Sequence, residues 1–343
     1  MRKEITMIIF LLAMGIMSVC KTAPVFTDHF KGPSILLDDK QIYVWDRSLR
    51  KIVIYKRDNF QKVAEFGRRG EGPGEFIGIG KVILSNNYIY VSSYPKLCVF
   101  SKAGKLIKEK KGPVEAGGYI PFGNNFIGIS YPGSNPTDDR FGIQFSLYDG
   151  NLKKKKDIFL TEINKSVMYK GNKDNVLWFR DCCDAVAYKD RLYIGTTGKG
   201  FYFAVFNLDG NLLYEIKKDE EKRRITTSEK QNLLDGIKKN LGEIRWNEYK
   251  SRFEIIFPEY YPSYKTFFID DDKIYVFRFP LDEKYEILIL DLKGNTLKRN
   301  LKTGEELGIV EPGCFYIQGG KYYCLRENDE DDVWEMHELD LLK

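Results

Sequence analysis

Apolar and polar residues alternate along this chain in short runs, and one run returns six times. Its cores are Ile42-Tyr43-Val44, Ile89-Tyr90-Val91, Phe126-Ile127-Gly128, Leu192-Tyr193-Ile194, Ile274-Tyr275-Val276 and Tyr322-Tyr323-Cys324. Each follows a short polar turn, and most lead into a second apolar run closed by a turn with Gly or Asn. Alternation bounded by turn residues predicts half-buried strands. A strand-and-turn unit recurring every few dozen residues predicts radial repetition. The fold class expected is all-β: a six-bladed β-propeller of four-stranded antiparallel blades.

In the first repeat the strands fall at Pro33–Asp38, Gln41–Asp46, Lys51–Lys56 and Gln61–Phe66. The later repeats cover 78–110, 118–160, 183–217, 264–300 and 313–341. Four of them turn between third and fourth strands at Lys102-Ala103-Gly104, Asp149-Gly150-Asn151, Asp209-Gly210-Asn211 and Lys293-Gly294-Asn295. Such turns suit tight hairpins, because glycine accepts positive φ. The last repeat supplies only three strands, while Thr22–Phe30 stands before the first with no blade of its own. Lending that N-terminal strand to the last blade closes the ring and removes an open edge. Residues 22–343 therefore read as a single propeller domain.

The interval from Tyr193 to Tyr275 is much longer than the others and holds an insertion at 219–262, between blades 4 and 5. There Ser228-Glu229-Lys230-Gln231 reads as a capping box, and Leu233, Leu234, Ile237 and Leu241 share one helical face. A second short helix is expected around Trp246–Phe253, before Pro258 and Pro262 return the chain to strand. The insertion reads as a helical pair packed on one propeller face; a lid over a ligand is the alternative.

Residues 1–20 stand outside the domain. Arg2 and Lys3 precede an apolar stretch, Ile5–Val19, too short for a comfortable membrane span, which is the pattern of a secretory signal. It ends at Cys20 after Met17-Ser18-Val19. This resembles the lipobox of bacterial lipoproteins, in which the cysteine is acylated and begins the mature chain, although Val19 departs from the small residue usual there. Lipid attachment at Cys20 and export to the cell envelope are expected, with simple cleavage and release as the alternative. The other cysteines, Cys98, Cys182, Cys183, Cys314 and Cys324, form an odd set with no disulfide framework. A Gly319-Gly320 turn opposes Gln318 to Lys321 and Phe315 to Cys324, so Cys314 and Cys324 point to opposite faces and stay unpaired. Cys182-Cys183 reads as two small residues on either side of a strand.

The most specific string is Gly67-Arg68-Arg69-Gly70-Glu71-Gly72-Pro73-Gly74-Glu75-Phe76. It resembles the inter-blade segment of NHL-type six-bladed propellers. With the blade pattern, the chain is similar to the secreted or lipid-anchored propellers of the NHL/TolB-like group common in Bacteroidetes-type bacteria. Pro258-Glu259-Tyr260-Tyr261-Pro262 and Asp270-Asp271-Asp272 extend the likeness, but only the first repeat keeps the full glycine string. A phosphate loop would need Gly-Lys-Ser/Thr and a following helix. Here a strand follows, so the glycines turn the chain between blades.

Charge and chemistry then narrow the function. The formal net charge is +5 over 343 residues, and nucleic acid, which needs a clustered basic face, is not an expected partner. Two histidines, His29 and His337, are too few for a zinc lyase. No Ser-His-Asp set can be assembled, and no cofactor is expected. Lactonase-like propellers hold calcium with channel carboxylates; Asp184, near the start of an inner strand, is one such group without an identifiable second. Asp270–Asp272 and Asn328–Asp332 read as solvated turns.

In a propeller, the loops joining second to third strands share a face with the inter-blade loops. That face carries Arg47, Arg50, Arg68 and Arg69 in adjacent blades, with Lys96, Lys110, Lys111, Arg140, Lys199 and Arg278 around it. Asp138, Asp139 and Asp329–Asp332 make it mixed in charge. The four arginines are the candidate ligand-binding residues, suited by paired hydrogen bonds to an acidic glycan or the acidic patch of an envelope protein. A non-catalytic envelope binding module is the leading expectation. The alternative is a lactonase-like or lyase-like enzyme with a divalent metal in the channel.

Overall fold

The computed structural model describes residues 25–113, 116–132, 140–165, 167–170, 173–281, 284–308, 310, 313–328 and 333–343. The signal segment with Cys20, residues 22–24, Asp138, Asp139 and Asp329–Asp332 lie outside the described residues. Among the described residues, six four-stranded antiparallel sheets form the ring. Val25 pairs with Glu335 and Phe26 with Trp334, outside the strands Phe315–Gln318, Lys321–Asn328 and Val333–Asp340. The N-terminal strand thus completes the last sheet, as expected. The chain enters the ring through this closure sheet, which is therefore blade 1. Blades 2 to 6 span Pro33–Phe66, Lys81–Lys111, Ala116–Asn164, Cys183–Lys218 and Thr266–Thr303.

Each recurring triplet lies on the second strand of its blade and, apart from the half-buried Tyr90, is buried on both faces. Ile42 and Val44 pack with Tyr323 and Leu325 of blade 1, whereas Tyr43 packs with Val91 and Phe100 of blade 3. Leu192 and Ile194 join the core shared with blade 4, and Tyr193 the core shared with blade 6. Ile274 and Val276 face blade 5 while Tyr275 faces blade 1. The period of two along a strand sends neighbours to opposite sides. With a blade on each side, the run is apolar throughout.

A second contact repeats at the rim. In blades 2 to 6 the outer strand carries a bulge near its start, where Val63, Ile107, Lys155, Leu213 and Leu297 have no cross-strand partner. Such bulges bend the strand, and the following blade's turn lies against it. A Cβ on Gly104, Gly210 or Gly294 would come within 2.9, 2.7 or 2.4 Å of Phe66, Ile158 or Ile216 of the preceding blade. Gly294 also sits at φ 92°, so any other residue there is both strained and crowded. Lysines fasten the same junctions: Lys110 donates to Gly150, Lys156 to Asn211, and Lys218 to Gly294 and Thr296.

The insertion departs from expectation in three ways. Counted from the first strand, its helix α1 (Thr227–Arg252) lies between blades 5 and 6 rather than 4 and 5, because the N-terminal strand already belongs to the closure blade. Its capping box is Thr226 with Glu229, two residues ahead of Ser228; Thr226 is the residue whose backbone is extended and can cap. A three-stranded sheet, Val167–Lys170, Lys173–Leu177 and Phe253–Ile256, had no counterpart in the sequence pattern. It ties the link between blades 4 and 5 to the end of α1 through a parallel pairing. The helix breaks at Gly242, φ 74°, which separates the two helical pieces that the sequence pattern contains. A one-turn helix α2, Gly304–Leu307, follows blade 6. Phe315 opposes Cys324 across the Gly319-Gly320 turn, in the predicted register. Among the described residues, no helix is long and apolar enough to cross a membrane.

The closure is the first place to test. Phe26 is 1% exposed in the core between blades 1 and 2. Deleting Val25–Phe30 removes it together with the closing strand, so thermal denaturation should show a loss far beyond that of trimming a free terminus. A melting point within a degree or two of the parent's would contradict the closure.

Asp28 clasps the closure strand to blade 2, accepting from Tyr55 at 2.5 Å and Lys62 at 2.5 Å. Burial disfavours its charge, but the bonds from Lys62 and Tyr55 outweigh this and hold the carboxyl below its ordinary value. Asp28→Asn should destabilise by about 1–2 kcal/mol at neutral pH. Because the folded value is the lower one, this contribution is full above about pH 4 and fades as pH falls through it. Urea midpoints of mutant and wild type should therefore converge in acid. A gap unchanged at low pH would contradict the clasp.

Candidate functional site

The upper face of the ring carries the inter-blade links and the loops from second to third strands; the lower face carries the hairpin turns. The inner strand of blade 4 begins Ala116-Gly117-Gly118, and a Cβ on Gly118 would meet nothing within 4 Å. Lys81 of blade 3 reaches past blade 4 to blade 5. Its Nζ donates to Asp184 Oδ1 at 2.8 Å and to the Ala185 carbonyl at 3.2 Å. The result is a cavity of about 350 Å³ at the upper channel mouth, lined by Arg47, Lys81, Tyr131, Cys183 and Asp184 among others.

Arg47 reaches this cavity from the loop after the second strand of blade 2. Its Nη2 donates to the Gly80 carbonyl at 3.2 Å, and its guanidinium lies 5.8 Å from the Trp45 ring centre. Tyr131 forms a half-exposed aromatic wall, its ring centre 5.9 Å from that of Phe141. Burial, then the proximity of Cys183 and Asp184, raises its hydroxyl above the ordinary phenol value, so it stays a neutral donor. Burial, with Asp184 beside it, pushes the Cys183 thiol up to about 12. A thiol held protonated is a poor nucleophile. The cavity thus combines Arg47, the Lys81–Asp184 ion pair, a phenol and an aromatic wall.

Asp184 is at the channel mouth, as its position on the inner strand implied, but its carboxylate is engaged by the Lys81 ammonium. Among the described residues, no three His, Cys, Asp or Glu side chains converge as metal ligands would.

The four candidate arginines run along the link between blades 2 and 3. Arg50 Nε donates to the Ile77 carbonyl at 2.6 Å, and Arg68 pairs with Glu75 at 2.6 Å. The main chain of Arg69 bridges to Phe76, and its side chain is exposed. Arg47 alone of the four lines the cavity. The glycines of this link make room: a Cβ on Gly67 would come within 2.3 Å of the Phe76 ring. Glu75 accepts from the Gly72 amide at 2.9 Å, and Lys96 donates to the Gly72 carbonyl at 2.7 Å.

Two rim residues turn out to be internal. Lys96 is buried against Glu109 at 2.9 Å, and Arg278 lies between Glu286 at 2.9 Å and Glu220 at 3.6 Å. Lys96 is drawn inward by a carboxylate on the next strand of its own hairpin, and Arg278 by Glu286 close along the chain and Glu220 far from it. Lys199 sits 4.8 Å from the Phe159 ring centre. Lys81 and Tyr131 were missed; the partner of Lys81, Asp184, stands 103 residues away along the chain.

A larger depression of about 1130 Å³ opens on the lower face between blades 1, 2 and 3. Its polar groups hold one another: Lys102 with Asp38 at 2.9 Å, Arg57 with Gln318 at 2.6 Å, and Gln318 with Asp39 at 3.1 Å.

No protein-family model matches the chain, and no curated protein matches it in sequence. Among solved structures, a protein described as exported from Bacteroides fragilis is similar with a TM-score of 0.55 and 12% identity, over 93% of this chain and 94% of that one. A protein of unknown function from Bacteroides caccae gives 0.41 and 11%, over 89% and 91%. A puromycin hydrolase mutant gives 0.45 and 10%, over 93% of this chain and 45% of that one. The first of these likenesses shows a shared fold: the chain is a β-propeller built like a protein described as exported.

Proposed function

We propose that this chain is a non-catalytic binding module of the cell envelope. In this reading it takes an acidic ligand, the uronate-like group of an acidic glycan or the carboxylates of an envelope protein, at the upper channel mouth. The observation that carries the reading is the cavity in which Arg47 and the Lys81–Asp184 pair stand beside the half-exposed ring of Tyr131. A guanidinium offers paired donors to a carboxylate, and an aromatic face suits the apolar side of a sugar. Arg50, Arg68 and Arg69 extend the positive sector along the adjoining link. The apolar leader ending at Cys20 supports export and lipid anchoring, and the glycine string supports kinship with the NHL/TolB-like group. Fold alone decides none of this, because propellers host unrelated functions.

The test is a screen of acidic and neutral glycans and envelope proteins against wild type, Arg47→Ala and the Arg68→Ala/Arg69→Ala pair. Losing one charge-assisted donor pair of about 1.5–3 kcal/mol should weaken acidic-ligand binding roughly 10- to 100-fold in Arg47→Ala. The Arg68/Arg69 pair should lose part of the salt dependence with little change in melting temperature, since the Arg68–Glu75 bridge is exposed on the arginine side. Equal binding by all three proteins would place the functional surface elsewhere. Fatty-acid labelling that survives Cys20→Ser would remove the anchor from the reading.

A further inference from the structure

We propose that the lower outer edge of blades 3, 4 and 5 is a membrane-seating surface that rests on an anionic phospholipid bilayer. The chain's charge is concentrated there. Residues 102–110 and 149–157 hold eight lysines against three carboxylates, a net +5 that equals the sum of the whole chain. Lys102 among them is paired with Asp38, and Lys111 lies at the upper end of its strand, opposite Lys96. The two segments adjoin, since Lys110 donates to Gly150 and Asn151, and Lys156 continues the edge to Asn211 of blade 5.

Each of the three carboxylates has partners nearby, and only Glu109 faces a buried cation; Asp157 is exposed. Glu109 takes Lys96 and the Gly74 amide, Asp149 the amides of Asn151 and Lys153, and Asp157 the Ser146 hydroxyl and Lys154. Lys105, Lys108, Lys153 and Lys155 are exposed. Apolar side chains stand among them: Ile107 is 49% exposed, Leu212 53% and Leu213 47%. Ile107, Lys155 and Leu213 occupy the same bulge position in three successive blades.

The chemistry favours a bilayer over a discrete ligand. Lysines are hydrated point charges on flexible stems, suited to diffuse negative charge rather than paired recognition. Exposed apolar groups among basic ones are the composition of surfaces that lie at a membrane interface, where anionic lipids attract each lysine. The anchor, which rests on the envelope reading above, adds a second signal. One acyl chain binds marginally, and a basic patch is a usual complement. Seating on the lower edge leaves the upper cavity free.

The experiment uses the chain from Lys21 onward, which contains every strand of the ring, with vesicles of phosphatidylcholine alone or with 30% phosphatidylglycerol. Wild type should cosediment with the anionic vesicles, less so as salt rises, and not with the neutral ones. Reversing Lys105, Lys108, Lys153 and Lys155 to Glu should weaken binding at least tenfold. Reversing Lys222, Lys239, Arg245 and Arg252, in and beside the insertion, changes net charge equally and should shift it less than about threefold. Ile107→Ser should weaken binding without altering its salt dependence, and Arg47→Ala should leave it unchanged, which separates this surface from the upper cavity. Melting curves establish that each variant is folded. Equal loss from both quartets, no preference for anionic vesicles, or tighter binding to an acidic polysaccharide or duplex DNA would overturn the proposal.

Discussion

Every blade depends on a second strand that is buried on both faces at once. Tyr193 at the middle of its strand faces blade 6, while Leu192 and Ile194 on either side face blade 4. The same division holds for Ile42-Tyr43-Val44 and Ile274-Tyr275-Val276. Such a strand cannot be satisfied by one blade, so each sheet is stable only with its neighbours in place, as repeat architectures require. The closing strand Val25–Phe26 then matters beyond its length, because it completes the sheet that the last and first interfaces share.

This constraint is also what made the fold legible. Residues buried on both sides leave an unbroken apolar triplet, and the triplets mark every second strand. Turn chemistry placed the hairpins, but its further role was hidden. Gly210 and Gly294 are small because the preceding blade's Ile158 and Ile216 press on them, a contact between residues far apart along the chain. The three-stranded sheet beneath α1 was illegible for a similar reason. Lys173–Leu177 and Phe253–Ile256 pair in parallel across a whole blade and a helix, and neither carries a turn that announces its partner.

The candidate site was legible only in part. Arg47 and Asp184 were both visible as residues on the right elements, yet their significance depends on Lys81 crossing from blade 3 to Asp184 of blade 5. Arg50, Arg68 and Arg69 share a face with Arg47 as the topology required, but Arg50 and Arg68 also fasten the link between blades 2 and 3. One ring thus presents two differently built surfaces. The upper mouth holds a few cations in fixed geometry, and the lower edge holds many lysines, of which Lys105, Lys108, Lys153 and Lys155 are exposed. The first is suited to a defined anionic group and the second to a diffuse one.

Amide hydrogen exchange on Tyr193→Ala tests the two-sided strand most directly. Truncating this side chain opens a cavity in the core shared by blades 5 and 6 and spares that shared by blades 4 and 5. Protection should fall first at Lys273–Phe277 of blade 6, with Asn125–Ser130 of blade 4 close to wild type. A loss spread evenly around the ring, or one greater in blade 4 than in blade 6, would contradict the account.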